Sequence, residues 1–505
     1  MDSRSLSSTV PSLSMNERIV WISDNGPEYG YVRWLGKLPD IGDDWMVGVE
    51  FDNPVGTGTG FYRDQQLFES QMNHASLVPI IGLMKAADFE DSSPTSSGSQ
   101  HNILTYPAPK TLRSLMGKSR GIQGHNNSCY LDATLFAMFS SATVFESLLY
   151  RPSTAKDIPE YSQVQNILRE EIVRPLRKDF FVSANQVMQL RTLLEKLSSV
   201  EGLTDEEKDP EEFLTLLLNQ ILRAEPYLKL SSGLESFFYQ LIVDKDENIV
   251  LPTVQDLFDQ SCLGNSIRLR EIPPCLLLQM PRFGRQYKMY SRIVPSMQLD
   301  ITDILESSPR ACGQINKNCD NLASFECKDC FGERGNRFNT RLSNITYCKS
   351  CFQSKHFSRS HSTGIEDHDN TKSIIKHGCT NREAQQRFLA SSSSSKNKTI
   401  PRVYMDLFAI LCIETSHYVC FVKCDNDPDA PWCFFDSMAD RKGEQNGYNI
   451  PEVSLFEDLP FWLSDKGIAY LLNNRDDKLL PEMSRRLICD AYMCFYQSSD
   501  LQLYR

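Results

Sequence analysis

The sequence predicts an α+β domain with a small all-β domain in front of it and a cysteine-rich module set into it. Three observations carry this. Text from Gly121 to Leu305 reads mostly as helix, with strands starting near Ser236, whereas from Arg402 onward apolar β-type segments (VYMDLFAILCIE, HYVCFVKC, WCFFDS) dominate; helical text followed by strand text is the α+β pattern. From Arg18 to Met84, short strand-like runs are broken by Gly, Pro, Asn and Asp, as in a small barrel or sandwich. Six of the chain's 16 cysteines fall between Cys312 and Cys351.

Taken in order, residues 1–15 are Ser-rich and polar and read as a disordered leader without the apolar core of a secretory signal. Residues 16–86 form the all-β domain. Its stretch Gly56–Gly60 (GTGTG) reads as a turn-forming loop, because neither GK[ST] nor GxGxxG follows. Residues 87–118 (DFEDSSPTSSGSQHN and onward) read as a linker. Residues 119–505 form the main domain, interrupted by the cysteine-rich module at 307–372, and the SSSSS run near 391–395 reads as a surface loop. The 505 residues are 41% hydrophobic and 23% charged, an ordinary globular composition that excludes a wholly disordered chain. A net charge of −12 argues against nucleic acid as a partner. No run of about 18 apolar residues predicts a membrane span. Without a secretion signal the expected compartment is the reducing cytoplasm, with a perinuclear or cytoskeleton-associated pool as the alternative, and there clustered cysteines read as metal ligands rather than disulfides.

Chemistry concentrates at three places. In GIQGHNNSCYLDATLFAMF, Cys129 precedes Leu131, Leu135, Phe136 and Phe139 at near-helical spacing, which predicts an amphipathic helix. Asn126, Asn127 and Ser128 just upstream are cap-type residues. A cysteine in the first helical turn feels free N–H groups and the positive end of the dipole, which favour thiolate and stabilise an oxyanion. Alone, such a residue is more often a buried structural cysteine. Two later segments change that balance. His417 starts a β-type run in ILCIETSHYVCFV, and Asp436 ends one in WCFFDSMAD, 19 residues further on. On adjacent antiparallel strands the carboxylate could orient the imidazole, giving a papain-type Cys129–His417–Asp436 set.

These segments carry a family resemblance. GIQGHNNSCYLDATLF resembles the Cys box of the ubiquitin-specific proteases, and ETSHYVCFVKC with WCFFDS resembles their His box. DPEEFL, PPCLLLQMPRF and DAYMCFYQ are similar, in order, to three further motifs of that family. The resemblance implies a papain-like thiol isopeptidase acting on ubiquitin and polyubiquitin chains, with lysine-sixty-three-type and linear linkages preferred and a part in restraining NF-kappa-B-type signalling. It implies Cys129 as nucleophile, His417 as acid and base, and Asp436 as the group that orients the ring. The family's usual oxyanion asparagine, five residues before the nucleophile, is Gly124 here. The expected donors are then the Cys129 N–H helped by Asn127 or Gln123. The rival reading is a non-catalytic ubiquitin-binding or cytoskeletal adaptor.

The module's ligand text is Cys312-x6-Cys319, Cys327-x2-Cys330, Cys348-x2-Cys351 and His356-x4-His361, with His368, His377 and Cys379 as spare candidates. Eight such ligands suit two closed tetrahedral sites, hence two structural zinc ions. A nucleic-acid zinc finger is the competing reading, but the C-x2-4-C-x12-H-x3-5-H text is absent. The segment resembles a B-box. Cross-brace pairing by that analogy gives one ion to Cys312, Cys319, Cys348 and Cys351, and the other to Cys327, Cys330, His356 and His361. The N-terminal domain (EYGYVRWLGKLPD, DWMVGVEFDNPVGTGTGFYRDQQLF) resembles a CAP-Gly domain, which implies docking of signalling-adaptor peptides or of the cytoskeleton. Its groove candidates are Trp34, Trp45, Gly58, Gly60, Phe61 and Phe68, whose alternative role is barrel core.

Overall fold

The structure is a computed structural model that describes residues 13–23, 26–38, 45–56, 58–62, 65–80, 83–86, 112–247, 249–283, 287–313, 319, 321–327, 329–332, 342–357, 400–425, 427, 429–441 and 447–498. The leader up to residue 12, most of the linker and the polyserine run lie outside these.

The N-terminal domain is a five-stranded antiparallel sheet in the spatial order Ala75–Pro79, Trp45–Phe51, Gly26–Lys37, Arg18–Ser23, Leu83–Lys85. Alternate residues of its strands, among them Ile19, Val32, Val47, Val49 and Phe51, close one core. Leu13, which the sequence assigned to the leader, is 4% exposed and packs into that core.

The main domain is built on a larger sheet. In space its strands run Phe238–Gln240, Cys275–Gln279, Ala491–Ser498, Tyr404–Glu414, His417–Lys423, Trp432–Asp436, Glu452–Leu455 and Gly117–Lys118, with Gln298–Asp300 added beside Tyr404–Glu414. The Phe238–Gln240 pairing is parallel and the others are antiparallel. Both faces are covered, which explains why the strands read as continuous apolar runs rather than alternating ones. In Tyr404–Glu414, for example, Phe408, Ala409, Leu411 and Ile413 enter one core while Met405, Leu407, Ile410 and Cys412 enter the other. The first core also holds the helical half, led by the helix Cys129–Phe139. Gly117–Lys118 corrects the linker boundary, because it pairs with Glu452 and Val453 as an edge strand of this sheet.

The cysteine-rich module is small. Phe325–Glu326 pairs with Thr346–Tyr347, and the helices Asp329–Gly332 and Lys349–Phe357 flank that pair. Leu342, Ile345 and Tyr347 join the core of the main domain, and the buried Glu326 adds a polar tie, accepting two 2.8 Å hydrogen bonds from the Arg268 guanidinium and a further one from Arg310. Burial alone would raise the Glu326 pKa; the two guanidinium groups outweigh it and hold the carboxyl below its ordinary value.

Candidate active site

Cys129 opens the helix Cys129–Phe139, as expected, but the helix is not amphipathic: every residue in it is buried. It lies under the sheet rather than on a surface, so polar text has no solvent side to occupy. Phe136 stacks on Phe435 at 4.1 Å between ring centroids, clamping the helix onto the strand that ends in Asp436. Gly121, at φ +87, leads the chain into this contact; a Cβ there would fall 2.3 Å from the Phe435 ring.

His417 begins its strand and Asp436 ends the adjacent antiparallel one. The Nε2 of His417 donates to Oδ1 of Asp436 at 2.7 Å, and the Met438 N–H donates to the same oxygen at 2.8 Å. Burial pushes the Asp436 pKa up, yet the bond from His417, its charge and the Met438 N–H overcome burial and leave the carboxyl below its ordinary value. An ionised carboxylate only accepts, so Nε2 is the nitrogen that donates to it, and Nδ1 is the ring nitrogen that faces no carboxylate among the described residues.

The sulfur of Cys129 lies against the backbone on both sides of His417. It donates to the Ser416 carbonyl at 3.7 Å, and the Tyr418 N–H reaches it from the other side. The residue is only 4% exposed. Burial pushes the thiol up to about 12, with the Tyr418 N–H opposing and nearby carboxylates reinforcing the shift. The sequence predicted thiolate from the helix terminus; in the structure desolvation of the buried sulfur outweighs the dipole and favours the thiol.

The expected oxyanion side chains are otherwise engaged. Asn127 donates its amide to the Asp205 carbonyl at 2.8 Å. Gln123 bridges the Asn449 carbonyl and the Ala184 N–H at 3.1 and 3.2 Å. Gly124 has a packing reason, since a Cβ would fall 2.6 Å from Met438 Cγ and 2.8 Å from the Ser437 carbonyl.

Several supporting groups escaped the sequence reading. Asp132 is fully buried one turn after Cys129; its Oδ2 accepts from Ser128 Oγ at 2.6 Å, while Oδ1 and the Oγ of Ser437 have no partner among the described residues. Burial pushes its carboxyl up to about 7, with the Ser128 hydrogen bond and the Arg191 charge opposing the shift. Asp209 caps the helix Pro210–Leu214 and accepts from Tyr418 Oη at 3.1 Å and Tyr492 Oη at 2.6 Å, tying the helical half to the sheet. Arg191, 1% exposed, donates to the carbonyls of Leu203, His125 and Asn126. Its signal was legible: a charge on the Val187, Leu190, Leu194 face of its helix.

In the module, Cys312, Cys319, Cys348 and Cys351 bring their sulfurs within 4.8 Å of one another, with Cys319 and Cys348 at 3.6 Å. Four thiolates at about 2.3 Å from one zinc ion lie about 3.8 Å apart, so this set fits a structural tetrahedral site. Cys327 and Cys330 are buried, His356 lies in the helix Lys349–Phe357, and His361, His368, His377 and Cys379 are outside the described residues. In the N-terminal domain, Trp34 and Phe68 meet over Gly48, where a Cβ would fall 2.9 and 2.4 Å from their side chains. Gly60, at φ +92, packs on the Phe68 carbonyl, Gly58 bonds to Ala75, and Phe61 is 54% exposed. Trp45 sits at its strand end with Lys37 over its ring.

The profile of ubiquitin carboxyl-terminal hydrolases matches residues 120–496, from just before the Cys129 loop to the last strand. The chain belongs to the ubiquitin carboxyl-terminal hydrolase family. The chain also carries a CAP-Gly domain, matched at residues 15–82. Ubiquitin carboxyl-terminal hydrolase CYLD of Homo sapiens is 38% identical over 514 residues, covering 96% of this chain and 50% of the relative. The Mus musculus protein of that name gives the same figures. The chain thus spans about half the length of these curated relatives. Cell polarity protein alp11 of Schizosaccharomyces pombe is 40% identical over 54 residues, 10% of this chain and 23% of the relative. No helix among the described residues is long and apolar enough to cross a membrane.

Proposed function

We propose that the chain is a cysteine-type deubiquitinase that hydrolyses ubiquitin chains through Cys129, His417 and Asp436. The observation that carries this is the 2.7 Å bond from His417 to Asp436 beside a helix-start cysteine whose sulfur touches the backbone on both sides of that histidine. Because the resting thiol is protonated, His417 acts first as a general base. Its Nδ1 takes the thiol proton as the sulfur attacks the carbonyl of ubiquitin's C-terminal glycine. The tetrahedral oxyanion collapses, the C–N bond breaks, and the departing amine leaves with the proton from His417. Water, deprotonated by His417, then cleaves the thioester and regenerates the thiol.

The preferred linkages are the lysine-sixty-three type and the linear type, in cytoplasmic signalling of the NF-kappa-B kind. Two zinc ions hold the module and take no part in the chemistry; the four-cysteine set takes one, and Cys327, Cys330, His356 and His361 the other. The CAP-Gly domain docks adaptor peptides or the cytoskeleton through the surface around Trp34 and Phe68. The test is a panel of di-ubiquitins, one per linkage, digested by the unaltered chain and by Cys129→Ala. Release of free ubiquitin from those two linkages by the unaltered chain alone is expected. Equal, linkage-blind release would remove the specificity; binding without release by either protein would favour the adaptor.

A further inference from the structure

We propose that Arg191 is a positioning residue for the reaction: its buried guanidinium turns the two peptides before the nucleophile so that their N–H groups join that of Cys129 in holding the oxyanion. The inference rests on the deubiquitinase reading above and extends it to a residue outside the triad.

Arg191 projects from the helix Ala184–Leu197 beneath the loop that leads into Cys129. Its Nη1 donates to the His125 carbonyl at 2.9 Å and its Nη2 to the Asn126 carbonyl at 2.8 Å, while Nε holds the Leu203 carbonyl. Two adjacent carbonyls therefore face one planar fork, a geometry that a guanidinium satisfies and a single ammonium does not. In a trans peptide the N–H points opposite to its carbonyl. The N–H groups of Asn126 and Asn127 consequently point away from Arg191, and no hydrogen bond within the described residues takes them up. The arrangement has a conformational cost, since both asparagines are left-handed, at φ 49 and 59. Arg191 offsets it by satisfying the carbonyls so exposed. The side chains of Asn127 and Gln123 are committed to backbone partners elsewhere, so the donors left to the reaction are backbone ones. Successive backbone N–H groups of this kind form an anion-binding concavity.

The test compares the unaltered chain with Arg191→Lys, which keeps the charge but not the fork. For a fluorogenic ubiquitin C-terminal amide, kcat should fall at least about tenfold with KM little changed. Affinity for ubiquitin C-terminal aldehyde, which forms a tetrahedral adduct on the sulfur, should fall by a similar factor while affinity for plain ubiquitin holds. Unchanged kcat in a folded variant, or equal losses for aldehyde and plain ubiquitin, would overturn the assignment. A second measurement needs no variant. In amide spectra of the unaltered chain, the aldehyde should move the N–H signals of Asn126, Asn127 and Cys129 downfield together; a shift confined to Cys129 would overturn it. An unaltered chain that neither turns over the amide nor binds the aldehyde would overturn the deubiquitinase reading as well.

Discussion

Asp132 shows how a single side chain ties the site to pH. Its carboxyl is buried without a cation in hydrogen-bond contact, and burial raises it to about 7 from an ordinary value near 3.8. Between those values the folded chain holds a proton that the unfolded chain has released. Stability from this group is therefore present below about pH 4 and is lost as pH rises toward 7, at about 1.4 kcal/mol per pH unit. Asp132→Asn removes the titration and keeps an acceptor for Ser128. The variant should gain on the parent as pH rises from 4 to 7 in denaturant-unfolding midpoints, and a constant difference across that range would contradict the assignment. The placement of the three proposed residues was legible, because Cys129, His417 and Asp436 stand at the element boundaries where apolar text begins or ends, and there sequence pattern is informative. The Cys129 ionisation was not, since helix position predicts a dipole but not desolvation. The sites taken for Asn127 and Gln123 were not legible either, because their partners, Asp205, Asn449 and Ala184, are distant in sequence or on other elements.

At the scale of elements, the cysteine-rich module shares Leu342, Ile345 and Tyr347 with the core of the main domain, Glu326 adds a charged tie, and a metal ion on the four-cysteine cluster is expected to secure the rest. Cys348→Ser removes one ligand of the four-sulfur cluster. Purified protein should then carry one zinc ion fewer by elemental analysis, and the 307–357 segment should become the first site of proteolysis. Unchanged zinc content would contradict the assigned ligand set. The CxxC spacing made this module readable from the text, and the pairing of the first and third cysteine pairs follows the cross-brace expectation. The Cys129 helix was read less well. Its spacing suggested one apolar face, whereas residues such as Asp132 and Thr134 are polar yet buried, Asp132 accepting through one oxygen from Ser128 and Thr134 donating to the Tyr130 carbonyl. Periodicity reports hydrophobicity, and a helix with no solvent face hides its orientation from that signal. The strands of the large sheet were legible as strands, but their spatial order was not, because Ala491–Ser498 inserts between Cys275–Gln279 and Tyr404–Glu414 across more than 200 residues of chain in one direction.

For the whole molecule, the arrangement divides labour between a sheet that presents His417 and Asp436, a helical half that presents Cys129, and Asp209 with Phe136 and Phe435 holding the halves in register. Domain order was legible because composition changes sharply at each junction; two boundaries differ, at Leu13, which packs into the N-terminal core, and at Gly117–Lys118, where a two-residue edge strand leaves no pattern in the text. The claim on which the account turns is that the Cys129 sulfur, buried at rest, becomes the group that bonds to ubiquitin's C-terminus. The most direct measurement is the intact mass of the chain after exposure to ubiquitin bearing a C-terminal electrophile, with peptide mapping of the adduct. The account predicts one ubiquitin per chain, attached at Cys129 and formed at least about 100-fold more slowly in Asp436→Asn. An adduct on any other of the chain's cysteines, or one that persists in Cys129→Ala, would contradict it.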